Sequence, residues 1–154
     1  MKSYYKSPIG NILIEVSDNG ISRLIFTDYI EDKNNTSNEM ASQCILQLEE
    51  YFNHKREIFD IELDLKGTEF QKRVWNELLK IPFGKKISYK ELSLKLGDIM
   101  AIRAVAAANG ANPVSIIVPC HRVIGSDGSL TGYAGGLWRK QWLLEFESND
   151  NLLF

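Results

Sequence analysis

The chain has 154 residues, of which 44% are apolar and 25% are charged, and its formal net charge is −2. This composition is that of an ordinary soluble protein. No apolar run approaches the roughly 20 residues that a membrane span needs, and the first residues lack the apolar core of a signal peptide. We therefore expect a cytoplasmic protein.

Cysteines and histidines are few and widely separated in the sequence. The two cysteines are Cys44 and Cys120, and the two histidines are His54 and His121. This spacing argues against a disulfide framework and provides no zinc-binding pattern. We expect a reducing compartment and no metal site.

Charge is distributed unevenly along the chain. Residues 1–66 contain 7 Lys and Arg against 12 Asp and Glu, whereas residues 67–154 contain 11 against 8. With Lys66-Gly67 as the predicted junction, these halves become an N-terminal structural domain over 1–66 and a second domain over 67–154. An anionic partner should bind the basic second half, although a chance scatter of charges is the alternative.

The first half predicts a small α+β unit without chemistry of its own. Apolar segments at Tyr4–Val16 and Ile21–Thr27 flank Asn19-Gly20, which is a strong hairpin signal. An apolar stripe with helical spacing predicts a helix from about Met40 to Asn53. Alternating apolar and acidic residues over Ile58–Leu65 predict a half-exposed strand.

Three helices are predicted early in the second half. Thr68 is an N-cap candidate for a helix that runs to Lys80, and the capping box at Ser88–Glu91 begins a short second helix. A third helix is predicted over Ile99–Ala108. The second and third helices, joined by a glycine-containing turn, are typical of a helix-turn-helix.

The third helix has two distinct faces on a helical wheel. Ile99, Ile102, Val105 and Ala106 share the face predicted to be buried. The other face is lined by three alanines, with an arginine at its margin: Ala104, Ala107, Ala108 and Arg103. Such a smooth face can approach a DNA groove closely, and we expect it to contact phosphate and groove shape more than base edges.

A reactive group follows the next apolar run. Val114–Val118 predicts a buried strand that Pro119 ends, and Cys120 lies just beyond it. A buried cysteine is most often an inert packing residue. Here His121 and Arg122 lie beside the thiol and should favour the thiolate, which is the nucleophilic form.

The end of the chain provides a loop and a helix that complete a site. Ser126–Ser129 is a second hairpin signal. The glycine-rich loop over residues 131–136 could form the wall of a pocket for a flat ligand. The final helix is predicted over Leu137–Glu147, and Glu147 in its last turn needs a partner, for which a cationic histidine would serve.

Several of these motifs together resemble the O6-alkylguanine-DNA alkyltransferase family. The resemblance rests on Asn112-Pro113, Val118–Val123, Gly132–Gly136 and Trp142–Glu147, which occur in the family's order and spacing. It implies an α+β fold with a ribonuclease H-like N-terminal domain and a C-terminal helix-turn-helix, winged-helix-like alkyltransferase domain. It also implies irreversible transfer of an alkyl group from O6-alkylguanine, and in some cases O4-alkylthymine, to the protein.

The resemblance assigns a role to each candidate residue. The catalytic set is an acceptor cysteine, a base that acts through water, an orienting carboxylate, a turn brace and a phenol that donates to the leaving guanine: Cys120, His121, Glu147, Asn112 and Tyr89. Backbone groups of Cys120, Val123 and Ala134 would read the base, and Tyr133 would wall the pocket. Contacts to DNA would come from Arg103, Ala104, Ala107 and Arg122.

The same resemblance implies a monomer that acts on double-stranded DNA containing O6-alkylguanine, without cofactor or membrane. Asn109-Gly110 stands where some relatives carry bulkier or basic residues, which leaves fewer positive contacts to DNA. Three alternatives stay open from the residues alone: a non-catalytic binder of alkylated DNA, a cysteine hydrolase and a helix-turn-helix regulator.

Overall fold

A computed structural model of the chain describes residues 1–30, 38–98 and 101–148. The chain divides into two compact units, Met1–Lys66 and Gly67–Phe154. A small sheet dominates the first unit and helices dominate the second, so the predicted α+β fold class is confirmed. Within the described ranges, no helix has the length and apolarity required to cross a membrane.

The first unit contains a three-stranded antiparallel sheet and one helix. Its strands are β1 (Lys2–Ser7), β2 (Gly10–Ser17) and β3 (Gly20–Phe26), in the order β1-β2-β3. The predicted single segment over Tyr4–Val16 is therefore two strands joined by a turn. The predicted turn before β3 is present, and Gly20 is required there because its φ is +153° and a Cβ would lie 2.7 Å from the Glu62 carbonyl oxygen.

Helix α1 (Glu39–Phe52) lies within one residue of its predicted limits at each end. The Asn38 side chain caps it by accepting a hydrogen bond from the Ala41 amide. Cys44 is fully buried on its apolar face, and burial raises the pKa of this thiol to about 12, which makes it inert at neutral pH.

The predicted strand over Ile58–Leu65 is wrong. The segment forms one parallel bridge, between Leu63 and Ile21, with hydrogen bonds from the Ile21 amide to Glu62 and from the Asp64 amide to Ile21. Alternation of apolar and acidic residues indicates which side chains face inward, but ladder formation requires a partner strand of matching length.

Two capping boxes define the first helices of the second unit. Helix α2 (Glu69–Leu78) begins after Thr68, the predicted N-cap, which forms a capping box with Gln71, and it ends two residues before the predicted Lys80. Helix α3 (Tyr89–Lys95) begins after the predicted Ser88–Glu91 box. The Trp75 indole of α2 donates a 2.8 Å hydrogen bond to the Ala108 carbonyl. This bond connects α2 to the third helix.

Helix α4 (Ile102–Gly110) is shifted and rotated relative to its prediction. Ile99, which the prediction placed at its start, lies outside the described residues. The buried residues are Val105, Ala108 and Asn109, while Ile102 is 36% exposed. The face predicted from apolarity was wrong because contacts with α2 and α3, including the Trp75 bond, set the rotation of the helix.

The apolar run over Val114–Val118 is buried but is a turn, so the predicted strand is wrong. The Asn112 side chain accepts from the Val114 amide at 3.0 Å and donates to the Val118 carbonyl at 2.8 Å. Ile116 has a φ of +71°, which a strand does not allow. An apolar run predicts burial, but by itself it cannot distinguish a strand from a compact turn.

A short parallel ladder brings distant parts of the second unit together. Strand β4 (Ile87–Ser88) pairs with β5 (Val123–Ile124). The hairpin signal at Ser126–Ser129 produces a turn, but no strand follows it in the described part of this unit, so that hairpin prediction is wrong. The final helix α5 runs from Leu137 to Glu147, as predicted.

Candidate active site

Cys120 begins a single 3-10 turn, Cys120–Arg122, directly after the turn that Asn112 holds. Its side chain is buried, with 6% of the residue exposed. Strand β5 follows this turn, and its partner β4 leads directly into Tyr89 at the start of α3. The parallel ladder therefore places a phenol and a thiol, 31 positions apart in sequence, in the same region of the unit.

His121, Arg122 and Glu147 form a buried polar cluster. His121 Nε2 lies 2.8 Å from Glu147 Oε2. Arg122 Nε donates to Glu147 Oε1 at 2.7 Å, and its Nη2 donates to Oε2 at 2.9 Å. Arg122 Nη1 also donates a 2.7 Å bond to the Ile81 carbonyl. One carboxylate from the end of α5 therefore holds two consecutive residues of the cysteine turn.

The carboxylate also determines which nitrogen of His121 carries the proton. An ionised carboxylate only accepts hydrogen bonds, so Nε2 must donate to it. In the neutral imidazole this leaves a lone pair on Nδ1, and that buried atom has no hydrogen-bond partner among the described residues. Nδ1 is consequently the atom that can accept a proton.

Burial and pairing set the protonation states of this cluster. Burial alone would raise the pKa of the Glu147 carboxyl, but its contacts with His121 and Arg122 outweigh that effect and hold the pKa well below its ordinary range. Burial lowers the pKa of His121, and the Glu147 charge offsets this only in part. The histidine is therefore neutral at neutral pH and can act as a base.

The expectation that His121 and Arg122 hold Cys120 as a thiolate is wrong for this structure. Burial raises the pKa of the Cys120 thiol, and a hydrogen bond from Asn112, the charge of Lys140 and a backbone hydrogen bond offset only part of the rise. His121 is neutral and the Arg122 charge is paired with Glu147. The thiol is therefore mainly protonated, and a base must remove its proton.

Lys140 supplies a positive charge that the sequence interpretation missed. Its side chain is fully buried, Nζ donates to the Thr131 carbonyl at 2.8 Å, and Nζ lies 5.6 Å from the centre of the Tyr89 ring. Burial lowers the pKa of Lys140, while the nearby Cys120 raises it. The signal was present in the sequence, because Lys140 lies two helical turns before Glu147 on the same face of α5.

Tyr89 is surrounded by backbone and side-chain polar groups. Its hydroxyl lies 3.3 Å from the Thr131 carbonyl oxygen and 3.4 Å from Asn109 Nδ2. Burial raises the pKa of the phenol, and the hydrogen bonds with Thr131 and Asn109 counteract part of that rise. The phenol can therefore donate its proton, but it remains neutral in the free protein.

The glycine-rich loop lies against this phenol. Gly132 has a φ of +63°, and a Cβ there would lie 3.8 Å from the Tyr89 hydroxyl oxygen. Tyr133 is buried, which raises its pKa well above the ordinary value, whereas Ala134 is exposed. Val123 is fully buried at the start of β5.

The carbonyl of Cys120 is not free to read a base. It accepts hydrogen bonds from the Val123 amide and from Asn109 Nδ2, the latter at 3.3 Å. A carbonyl oxygen has two lone pairs, so both are occupied in this conformation. This position does not fit the expected contact with a base edge.

The candidate DNA contacts divide into two groups. Arg103, Ala104 and Ala107 are exposed and lie on one face of α4. Arg122 is 6% exposed, and its guanidinium is engaged by Glu147 and the Ile81 carbonyl. The expectation that Arg122 contacts DNA therefore does not fit the structure, in which it positions Glu147.

Within the described ranges, no cluster of three His, Cys, Asp or Glu residues could hold a metal ion.

Fold and site together define a class of protein: a helical unit that carries a buried cysteine beside a histidine–carboxylate pair. Residues 69–149 match the DNA-binding domain of 6-O-methylguanine DNA methyltransferase, and residues 1–65 match its ribonuclease-like domain. The chain belongs to the O6-methylguanine DNA methyltransferase family.

Individual relatives are similar over nearly the whole chain. The methylated-DNA–protein-cysteine methyltransferase of Methanosarcina barkeri is 45% identical, with 94% of this chain and 95% of that protein aligned. A crystal structure of Mycobacterium tuberculosis O6-methylguanine methyltransferase has a TM-score of 0.82 at 42% identity, covering 96% of this chain and 93% of that one. The structure of M. tuberculosis OGT in complex with DNA has a TM-score of 0.84 at 44% identity, covering 94% and 92%.

Proposed function

We propose that this protein repairs DNA by moving an alkyl group from guanine O6 to Cys120, irreversibly and once per molecule. One observation carries the proposal: the Glu147 contact with His121 Nε2 leaves a basic Nδ1 on the residue next to a buried thiol. Family membership supports the reaction class. We place its activity in the cytoplasm.

The first chemical step is activation of the thiol. His121 accepts the Cys120 proton at Nδ1, through a water molecule, and Glu147 stabilises the imidazolium that results. Lys140 stabilises the sulfur charge as it develops, because its ammonium is buried in the same environment. The thiolate then attacks the alkyl carbon in line with the C–O6 bond.

The second step is departure of guanine. The bond between the alkyl carbon and guanine O6 breaks as the S–C bond forms. Its electron pair is delocalised over the purine, which takes a proton from Tyr89. The thiol proton held by His121 replaces the phenol proton through solvent, so one proton is transferred overall. Because the thioether is stable, the molecule does not turn over.

Access to the alkyl group requires the nucleotide to leave the duplex. The alkyl carbon lies within the base stack, and extruding the nucleotide costs a few kcal/mol. The exposed face of α4 would lie in the groove with Ala104 and Ala107 against the DNA, and Arg103 would fill the gap. The Val123 carbonyl and Ala134 amide would bind the base edge beside Tyr133. The first unit, 1–66, would have a structural role.

Intact mass spectrometry tests the proposal. After incubation with duplex DNA carrying one O6-methylguanine, the protein should gain the mass of one methyl group on Cys120, and Cys120→Ser should gain none while still binding the duplex. Cys44→Ser is the matched control and should be methylated normally. A protein that consumes the lesion with turnover would indicate a hydrolase, and one that binds without mass gain would indicate a non-catalytic lesion binder.

A further inference from the structure

Asn109 occupies an unexpected place at the end of α4. It is the second-last residue of the helix and is only 1% exposed, whereas Arg103, Ala104 and Ala107 of the same helix face solvent. Its side chain is therefore directed into the active-site region. It does not lie on the surface expected to face DNA, where a basic residue would add a positive charge.

The Asn109 amide nitrogen bridges two active-site groups. Nδ2 lies 3.3 Å from the Cys120 carbonyl oxygen and 3.4 Å from the Tyr89 hydroxyl oxygen. A carbonyl can only accept, so the NH2 group, rather than the amide oxygen, must face Cys120. The same NH2 group then donates to the Tyr89 oxygen, which fixes the phenol as an acceptor on that side.

This arrangement sets the direction of the phenol proton. With its oxygen accepting from Asn109, the hydroxyl directs its single proton to the Thr131 carbonyl at 3.3 Å. That carbonyl also accepts a shorter bond, 2.8 Å, from Lys140. The Tyr89 proton is therefore held by a long bond to an acceptor that already has a charged donor, and it can be transferred to a purine at low cost.

We propose that Asn109 is a positioning residue for the leaving-group step, which keeps the Tyr89 proton on the side of the phenol oxygen away from its own amide, from where the proton can pass to guanine, and stabilises the oxygen as that proton departs. The inference rests on the proposed function and assigns a role to a residue that does not touch the base. Because Asn109 belongs to α4, it also connects the helix expected to bind DNA with the proton donor. The hydrogen bond from Asn109 lowers the pKa of Tyr89, in the direction that the role requires.

A double-mutant cycle tests this role. Single-turnover rate constants for methyl transfer at saturating duplex would be measured for the wild type, Asn109→Leu, Tyr89→Phe and the double variant. Asn109→Leu should be about tenfold slower, the size of one hydrogen bond to a developing charge, with the DNA concentration for half-saturation unchanged. In the Tyr89→Phe background the Asn109 change should have no further effect, because the phenol oxygen is absent.

A second reagent separates positioning from general damage to the site. Iodoacetamide alkylates Cys120 with iodide as leaving group, which needs no proton, so Asn109→Leu should leave that rate unchanged within about twofold. Asn76→Leu, an exposed asparagine of α2, is the matched control and should match the wild type in both reactions. If Asn109→Leu does not fold, Asn109→Ala, which also removes the donor and adds no charge, takes its place in the cycle.

Two results would overturn the role of Asn109. One is an equal fold-loss for Asn109→Leu in the wild-type and Tyr89→Phe backgrounds. The other is a parallel loss of the iodoacetamide rate. Either result can occur while wild-type Cys120 is still methylated by the duplex, so failure of this inference is distinct from failure of the proposed function, in which the wild type gains no methyl group.

Discussion

His121 Nε2 lies 2.8 Å from Glu147 Oε2, and both side chains are almost fully buried. The same carboxylate accepts two hydrogen bonds from Arg122, so a single anion orients the histidine and neutralises the arginine. This pairing explains why the proton of the neutral base lies on Nε2 and why the Arg122 guanidinium is already engaged within the protein.

Glu147→Gln should impair both chemistry and stability. The histidine loses the anionic acceptor that fixes its tautomer and stabilises the imidazolium, so methyl transfer should slow by roughly 10²-fold and its pH–rate profile should change. The Arg122 charge becomes buried without an anionic partner, so the free energy of unfolding should fall by about 3–5 kcal/mol. Single-turnover kinetics and urea denaturation measure the two effects. Glu145→Gln, an exposed neighbour on α5, should be close to wild type, and an unchanged pH–rate profile for Glu147→Gln would contradict the proton relay.

Lys140→Met should make Cys120 harder to ionise. Lys140 is a cation that counteracts the effect of burial on the thiol, so its removal should raise the pKa of Cys120 further. Transfer should be slower near neutral pH and should recover at higher pH. The pH dependence of iodoacetamide labelling provides a direct measurement. Lys72→Met on the exposed face of α2 is the control, and a labelling profile identical to wild type for Lys140→Met would refute this role.

Arg103→Ala should slow methyl transfer from duplex DNA much more than methyl transfer from the free base. Arg103 is exposed on α4, and filling the gap left by an extruded nucleotide offsets part of a cost of a few kcal/mol. We expect roughly tenfold slower methyl transfer from duplex DNA and little change with O6-methylguanine as the free base. Side-by-side rates with both substrates test this, with the exposed Arg23→Ala as control. Equal losses on both substrates would show that Arg103 acts in some other way.

Acid should destabilise the protein from about pH 6.5 downward. The folded-state pKa of His121 lies below its ordinary value of about 6.5, so the unfolded chain binds the proton first as pH falls, and stability is lost over that window. The lowered pKa of Glu147 acts in the same direction at still lower pH, because its stabilising charge is lost as pH falls through its folded-state pKa. Denaturation midpoints at pH 7.5, 6 and 5 measure this. His121→Gln should flatten the change between about pH 6.5 and 5, and an unaltered pH dependence in that variant would refute the assignment.

Local signals in the sequence were sufficient for much of the second unit. The N-cap at Thr68 and the capping box at Ser88–Glu91 fixed the starts of α2 and α3, because the groups that a cap binds lie within three residues of it and need no tertiary context. The bounds of α5 followed from the glycine-rich loop that precedes the helix and from the apolar pattern within it. Both the cysteine turn and Glu147 were identifiable as places where a polar group interrupts an apolar pattern.

Only tertiary structure decided the features that depend on contacts distant in sequence. The rotation of α4 is set by a bond from Trp75, 33 positions before its acceptor, and the Val114–Val118 run is bent into a turn by Asn112. The Arg122 and Glu147 pairing, the burial of Lys140 and the position of Asn109 between Tyr89 and Cys120 arise in the same way. Sequence patterns report which residues prefer burial. The partners a buried charge finds, and hence its pKa, are determined by which elements pack together.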